Sequence, residues 1–548
     1  MSKKILLFLI LIVVVASILR LWGLGLVPAS PDWDEVALGY NAYSIMQTGR
    51  DEYGQFLPII LRSFDDYKPV LYTYFSIPAI SIFGLSVLAV RLPSAIFGIL
   101  AVLGVFFLVK ELFKKDSIAL LSAFLLAISP WHIQFSRVAF ESNVGVALNV
   151  FGILFFIKSF KKPWFLLLSA LMMSLNLYMY QSEKVFVPLL IFTLICIFRR
   201  QFFSIKKKYL LISFLIFTII SLPLVNFTLT NKKALARARG VSIFADSTLV
   251  GRNAQKLILD RENKDTLGLI LDNRRVEFAK NVVSGYFSHF DLNWLFMTGD
   301  LARHHAPHMG LMYLWELPFL LIGIYSLLLG RFSQDVGKKE RVFIFVWFLL
   351  VPIPASITSG VPHAVRTLNF LPIFQIFVAC GILTALIYLN KLKNIYPKFL
   401  ILTISSLFAI FNFLYYLNQY FVQQNYYTSE DWQYGYEKAI YSVSNIENKY
   451  EKIIVSNKAP MDQSYMFFLF YLKYPPTLYQ KETNNTSGGF RENHKFGKYE
   501  FRPIDWAKEE KSVKVLYIGR VQDFPQGVKE LHRVDYLNNY PAILIVEG

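Results

Sequence analysis

A chain of 548 residues that is 55% hydrophobic and 16% aromatic, with a mean hydropathy of +0.42, is too apolar for a soluble fold and reads as a polytopic membrane protein. Its net charge of +18 does not point to nucleic acid, because the lysines and arginines gather in short clusters between apolar runs, the pattern of cytoplasmic loops. Cys196 and Cys380 lie inside apolar runs at no disulfide or metal-binding spacing, so both are read as packing residues.

The N-terminal "MSKKILLFLILIVVVASILRLWGLGL" predicts an uncleaved first span over residues 5–26 rather than a signal peptide, since the run is long and an acidic stretch follows it directly. Further spans are predicted at 92–110, 117–132, 140–158, 163–180, 184–199, 209–227, 314–330, 342–357, 367–389 and 398–420, about eleven in all for a hydrocarbon slab about 30 Å thick. One more apolar run, 69–90, is judged by charge. If it does not cross, the clusters Lys110/Lys114/Lys115, Lys158/Lys161/Lys162, Arg199–Lys208, Arg331–Arg341 and Lys391/Lys393/Lys398 all fall on the cytoplasmic side with Lys3 and Lys4. Broken by Pro78 and Gly84, it is read as a juxtamembrane or re-entrant helix on the outer face.

This topology divides the chain into a transmembrane domain over 1–420 and an extracytoplasmic domain over 421–548. The former carries a first outer loop at 27–91 and a long outer loop at 228–313. The tail changes character: "KIIVSN", "KVLYIGR" and "AILIVE" are strand-like runs between turn-rich segments, which predicts a small α/β domain. The N-terminus is expected in the cytoplasm, in the inner membrane of a cell, and any chemistry on the outer face.

Four constellations lie on that face. In "PDWDEVALGY", Asp32 and Glu35 fit a capping box for a helix over 33–48 ending at Gly49, which leaves Asp34 unexplained. The functional reading makes Asp34 or Glu35 a general base that takes a proton from an acceptor hydroxyl. In "RSFDDYKPVLYTY", Arg62 and Lys68 bracket Asp65 and Asp66; they either grip a phosphate at headgroup depth or pair within a solvated loop. Arg137 and Glu141 share a helix face where the chain re-enters the membrane, Glu183 and Lys184 stand at the next outer turn, and His363 and Arg366 at another. Finally, "GDLARHHAPHMG" offers Asp300, His304, His305 and His308; Pro307 disfavours a helix that would align His304 with His308 as metal ligands, so hydrogen bonding to substrate or plain loop structure is preferred.

The ordered set "PDWDEVALGY", "DDYKPVLYTY" and "FGLSVLAVRLPSAIFGIL" resembles the membrane glycosyltransferases of the GT-C fold, in particular the bacterial protein O-mannosyltransferase and aminoarabinose transferase group with the rhizobial lipopolysaccharide core transferases. The match is strongest over residues 28–200, with weaker echoes in "GDLARHHAPHMGLMYLWELP" and "VPHAVRTLNFLP". The resemblance implies an inverting glycosyltransferase moving a hexose or pentose from a polyprenyl-phosphate donor to a glycolipid, glycan or protein acceptor. It implies Asp34 as catalytic base with Glu35 as its partner, and Lys68 near the donor phosphate; since a prenyl-anchored phosphate stays at headgroup depth, the outer-turn cations Arg137, Lys184 or Arg366 are expected to join it there. Glu141, Asp66 and His305 would position substrate. "KPV" stands where many relatives carry Lys-Pro-Pro, which alters the loop after Lys68 but keeps its charge. No nucleotide or other cofactor is expected, a divalent metal being an alternative that is not favoured, and neither a P-loop nor a dinucleotide fingerprint is found. The rival readings are a lipid-linked sugar transporter or flippase, an oligosaccharyltransferase moving a preassembled glycan, and a non-catalytic polyprenyl-lipid-binding protein.

Overall fold

The computed structural model describes residues 2–64, 66–231, 240, 242–330, 332, 336–483 and 492–548. Asp65, Arg331 and residues 484–491 lie outside the described residues. Chain segments gather into two compact units. One holds Met1–Leu19, Gly98–Ile133 and Ser142–Leu414; the other holds Arg20–Phe97, Gln134–Glu141 and Tyr415–Gly548. The second therefore joins the first outer loop to the tail, a grouping the sequence boundary at 420/421 does not contain.

Every predicted span contains a helix, but the lengths differ. Among the described residues six helices are long and apolar enough to cross a bilayer: Lys3–Leu21, Val87–Phe113, Glu141–Ser159, Lys207–Thr230, Leu368–Leu389 and Ile395–Thr428. A seventh arises if Asp116–Ile128 and Pro130–Ser136, bent by 60° at Ser129, count as one. The remaining four expected spans hold Phe165–Asn176, Glu183–Ile197, Glu316–Leu328 and Lys338–Leu350, of 12, 15, 13 and 13 residues. At 1.5 Å per residue these cover only about 18–23 Å of a slab about 30 Å thick. Helix-to-helix approach in the first unit depends on glycine: a Cβ on Gly323 would lie 1.8 Å from the Phe377 carbonyl oxygen, and one on Gly381 1.8 Å from that of Phe319. Ser326 and Thr384 hydroxyls meet at 2.9 Å across the same contact, the small-residue packing typical of membrane helices.

In the second unit the helix Trp33–Thr48 starts on a complete capping box: the Asp32 carboxylate accepts from the Glu35 N–H, and Glu35 accepts from the Asp32 N–H. It stops at Gly49, whose φ of 69° is cheap only for a residue without Cβ. A hairpin follows, Ile60–Ser63 against Asp66–Pro69, with Arg62 opposite Tyr67 and Leu61 opposite Lys68. Apolar run 69–90 forms the helix Leu71–Phe83 and breaks at Gly84; thirteen residues reach about 20 Å, too short to cross alone. The tail carries a six-stranded sheet in the order His494–Phe496, Tyr499–Phe501, Lys452–Val455, Val515–Gly519, Pro541–Glu547, Glu530–Asp535. The three strand-like runs of the sequence are its contiguous centre, where Val515–Gly519 is buried throughout, as continuous apolar runs require.

Candidate active site

Asp34 and Glu35 are neighbours in the first turn of one helix, and their side chains meet different fates. Glu35 is buried against Arg91. The guanidinium donates from Nε to Oε1 and from Nη2 to Oε2, both at 2.9 Å, a bidentate pair with directional as well as Coulombic strength. The Ala139 N–H reaches Oε1 at 2.9 Å, and the Asp32 N–H takes the last share of Oε2. With four donors on two oxygens, Glu35 has little capacity left for a substrate proton. Arg91 is equally committed, since its remaining donors go to the carbonyls of Leu24, Pro28 and Ser30. One ion pair thus ties the end of the first helix, the start of the second and the turn at 139.

Asp34, one position earlier, points the other way and forms an ion pair with Lys68 from the hairpin. Its side chain is 38% exposed while that of Lys68 is 9% exposed, so the carboxylate is the member open to a reactant. The Lys68 ammonium also lies 5.9 Å from the Phe64 ring centre. Asp66, on the same hairpin strand two residues before Lys68, is buried and accepts from the Tyr67 N–H at 2.7 Å. Glu141 is buried at the start of its helix in this same unit.

Arg137, expected near the donor phosphate, is also in this unit. It is fully buried, donates to the carbonyls of Trp22, Gly23 and Val27 at 2.7, 3.1 and 3.1 Å, and lies over the Phe421 ring at 4.8 Å. Its charge holds the exit of the first helix by its backbone.

A third acid close by was not singled out in the sequence. Glu52 is fully buried, takes a hydrogen bond from Asn41 at 3.0 Å, and leaves Oε2 with no hydrogen-bond partner among the described residues. Burial pushes its carboxyl up to about 8, and that of Asp51 up to about 6.

Lys184, His305 and Arg366 belong to the other unit. Lys184 is half-buried, next to Glu183, whose carboxylate is buried and accepts from Asn149, Asn176 and Asn369 at 2.9, 3.1 and 2.6 Å. Arg366 donates to the Thr358 hydroxyl and the Ser359 carbonyl. Both ring nitrogens of His305 face backbone oxygens, those of Ala306 and Asp300, at 2.7 and 2.6 Å, so this imidazole braces its own loop. Residues 300–308 are turns, not helix, and His308 is exposed with φ 56°; the His304/His308 pairing weighed from sequence has no shared helix face. Instead Asp300, His304 and His363 come together. Burial, then the nearby Arg366 charge, holds the His363 imidazole down to about 2, and burial holds His289 down to about 4.

The missed residues had faint signals. Arg91 is an ionisable residue at the mouth of an apolar run, a default candidate for a buried partner. Asn149, Asn176 and Asn369 are lone amides in apolar context, and no spacing rule links them.

A family model described as dolichyl-phosphate-mannose-protein mannosyltransferase matches residues 67–225. No curated protein matches by sequence. Among solved structures the chain is similar to ArnT from Cupriavidus metallidurans in the apo state, with TM-score 0.53 and 11% identity over 98% of this chain and 97% of that one. The same protein bound to undecaprenyl phosphate gives TM-score 0.51 and 10% identity over the same shares. The oligosaccharyltransferase AglB from Archaeoglobus fulgidus, in complex with an inhibitory peptide and a dolichol-phosphate, gives TM-score 0.51 and 13% identity over 86% of this chain. This chain spans 63% of the length of that archaeal protein. At such identities the likeness is one of fold: a helical, multi-pass membrane protein of the GT-C type.

Proposed function

We propose that this chain, a multi-pass membrane protein with the GT-C fold, is an inverting glycosyltransferase that moves a sugar from a polyprenyl-phosphate donor to an acceptor hydroxyl at the outer membrane face. The observation that carries the reading is the Asp34–Lys68 ion pair with its exposed carboxylate. A prenyl tail stays in the bilayer, so the donor phosphate is pinned at headgroup depth, where a lysine is a suitable counter-ion. Phosphate arriving at Lys68 replaces Asp34 as the ammonium's partner and frees the carboxylate. The acceptor oxygen then attacks the anomeric carbon while its proton passes to Asp34. The bond from that carbon to the phosphate oxygen breaks, and its electron pair leaves with the phosphate beside Lys68. A single displacement inverts the anomeric centre.

In this reading Glu35 is a positioning residue: through Arg91 it fixes the helix that presents Asp34. In this step Lys68 is the cation beside the departing phosphate. The reading also requires the N-terminus in the cytoplasm and residues 421–548 outside. That ArnT has been seen with undecaprenyl phosphate and AglB with a dolichol-phosphate supports a lipid-linked donor for this chain. The test is transfer by the full chain in detergent from a panel of radiolabelled prenyl-phosphate sugars. Asp34→Asn is expected to lose about 10²- to 10⁴-fold in kcat, the usual weight of a general base. Equal transfer by both proteins removes Asp34 from the role, and donor binding without transfer by the wild type favours a non-catalytic lipid-binding protein.

A further inference from the structure

We propose that Asp300, His304 and His363 form a site for a divalent transition metal, with Zn²⁺ the natural occupant. One ligand atom from each residue lies within 4.8 Å of the other two. A first-row ion held at about 2.0–2.2 Å keeps its ligands about 3–4 Å apart, so side-chain rotations of ångström scale close the set.

Three features make this a built arrangement rather than a chance meeting. The Asp300 carboxylate is held from behind by the Ala364 N–H, which donates to Oδ2 at 2.6 Å, the kind of outer bond that orients a metal ligand. His363 is fixed through its backbone, since its N–H donates to Nε2 of His289 at 3.2 Å, and His289 is itself anchored by the Gly285 carbonyl at 2.7 Å. Nδ1 of His363 is buried and has no hydrogen-bond partner among the described residues.

The competing explanation is an Asp–His brace, because His304 Nδ1 already meets Asp300 Oδ2 at 2.9 Å. That brace accounts for two of the three residues; the His363 ring packs against that of His304 at 5.2 Å, and the brace leaves its Nδ1 unexplained. A buried polar nitrogen left without a partner is destabilising, a cost that a metal bond would remove. Two imidazoles and one carboxylate suit Zn²⁺ and its neighbours rather than Mg²⁺ or Ca²⁺, which prefer all-oxygen shells. Three protein ligands leave a fourth position for water. The ion would cross-link the loop carrying Asp300 and His304 to the turn carrying His363, adding to the Ala364–Asp300 hydrogen bond and the His304–His363 ring contact between the same segments.

Untagged full-length protein in detergent, stripped with chelator and dialysed, is titrated with Zn²⁺ against a chromophoric competitor. One Zn²⁺ per chain with a sub-micromolar Kd is expected, weakened about 100-fold or more in His363→Ala and unchanged in His308→Ala, whose side chain lies outside the cluster. Should His363→Ala fail to fold, X-ray absorption of the zinc-loaded wild type decides: a shell with two imidazoles supports the assignment, and a shell without them overturns it. Equal affinity in His363→Ala and wild type, or no zinc retained by the wild type, also overturns it.

Discussion

Glu35 sits in the first turn of the helix Trp33–Thr48, and Glu183 opens the helix Glu183–Ile197 in the other unit. Both side chains are buried and both accept hydrogen bonds on each oxygen, but Glu35 faces a guanidinium while Glu183 faces three carboxamides. The first arrangement balances charge; the second supplies hydrogen bonds with no opposing charge. A buried carboxylate therefore marks no single function. Asp34, paired with Lys68 and 38% exposed, differs from both in reaching solvent.

The comparison breaks most sharply on glutamine substitutions. Glu35→Gln keeps the shape but strands Arg91 as a buried, uncompensated cation, so a loss of about 3–5 kcal/mol in stability is expected, read by thermal or denaturant unfolding in detergent. If Glu35→Gln unfolds like wild type, the pair does not organise the first loop. The double variant Glu35→Gln/Arg91→Met should recover much of that loss, because replacing both partners leaves no orphan charge.

Glu52 offers the next effect. The folded chain holds its proton up to about pH 8, whereas an unfolded glutamate releases it near 4.5, so the folded state binds more protons across that window. Stability should therefore fall as pH rises from about 4.5 to about 8, by at most about 1.4 kcal/mol per unit. Glu52→Gln should flatten the profile, and an unchanged slope would show that another group is responsible.

Glu183→Gln leaves no orphan charge but keeps a carbonyl at only one of the two oxygen positions, so its NH2 faces either Asn369 or the Asn149/Asn176 pair; a cost of about 1–3 kcal/mol, below that of Glu35→Gln, is expected. An effect as large as that of Glu35→Gln would mean that charge, not hydrogen bonding, matters there. The smallest effect is at the cap itself: Asp32→Ala should cost about 1 kcal/mol, visible as a modest shift in unfolding midpoint.

The capping box of Asp32 and Glu35 and the stop at Gly49 were readable from spacing, because caps are local and involve residues three apart. The helix expected over 69–90 is shorter, Leu71–Phe83: it stops at the expected breaker Gly84 but runs through Pro78, and Val87–Val90 open the next helix, while the central strands of the tail follow from their apolar runs. The candidate site was legible in part. Asp34 and Lys68 were named, but their direct pairing depends on the hairpin that folds Lys68 back onto the helix start. The charge of Arg137 is legible in the sequence, but not that its donors reach the carbonyls of Trp22, Gly23 and Val27. The pairing of Asp300 and His304 with His363 has no local signal, because it joins distant turns.

By itself the sequence determined that this chain lives in a membrane, roughly where its helices lie, and which residues carry charge at their ends, since these follow from hydropathy, periodicity and capping over a few turns. Which of those charges neutralise each other was decided only by tertiary structure. A buried ion pair such as Glu35–Arg91 spans 56 positions, and the cost of leaving either charge alone in a dry interior exists only once the chain has folded around it.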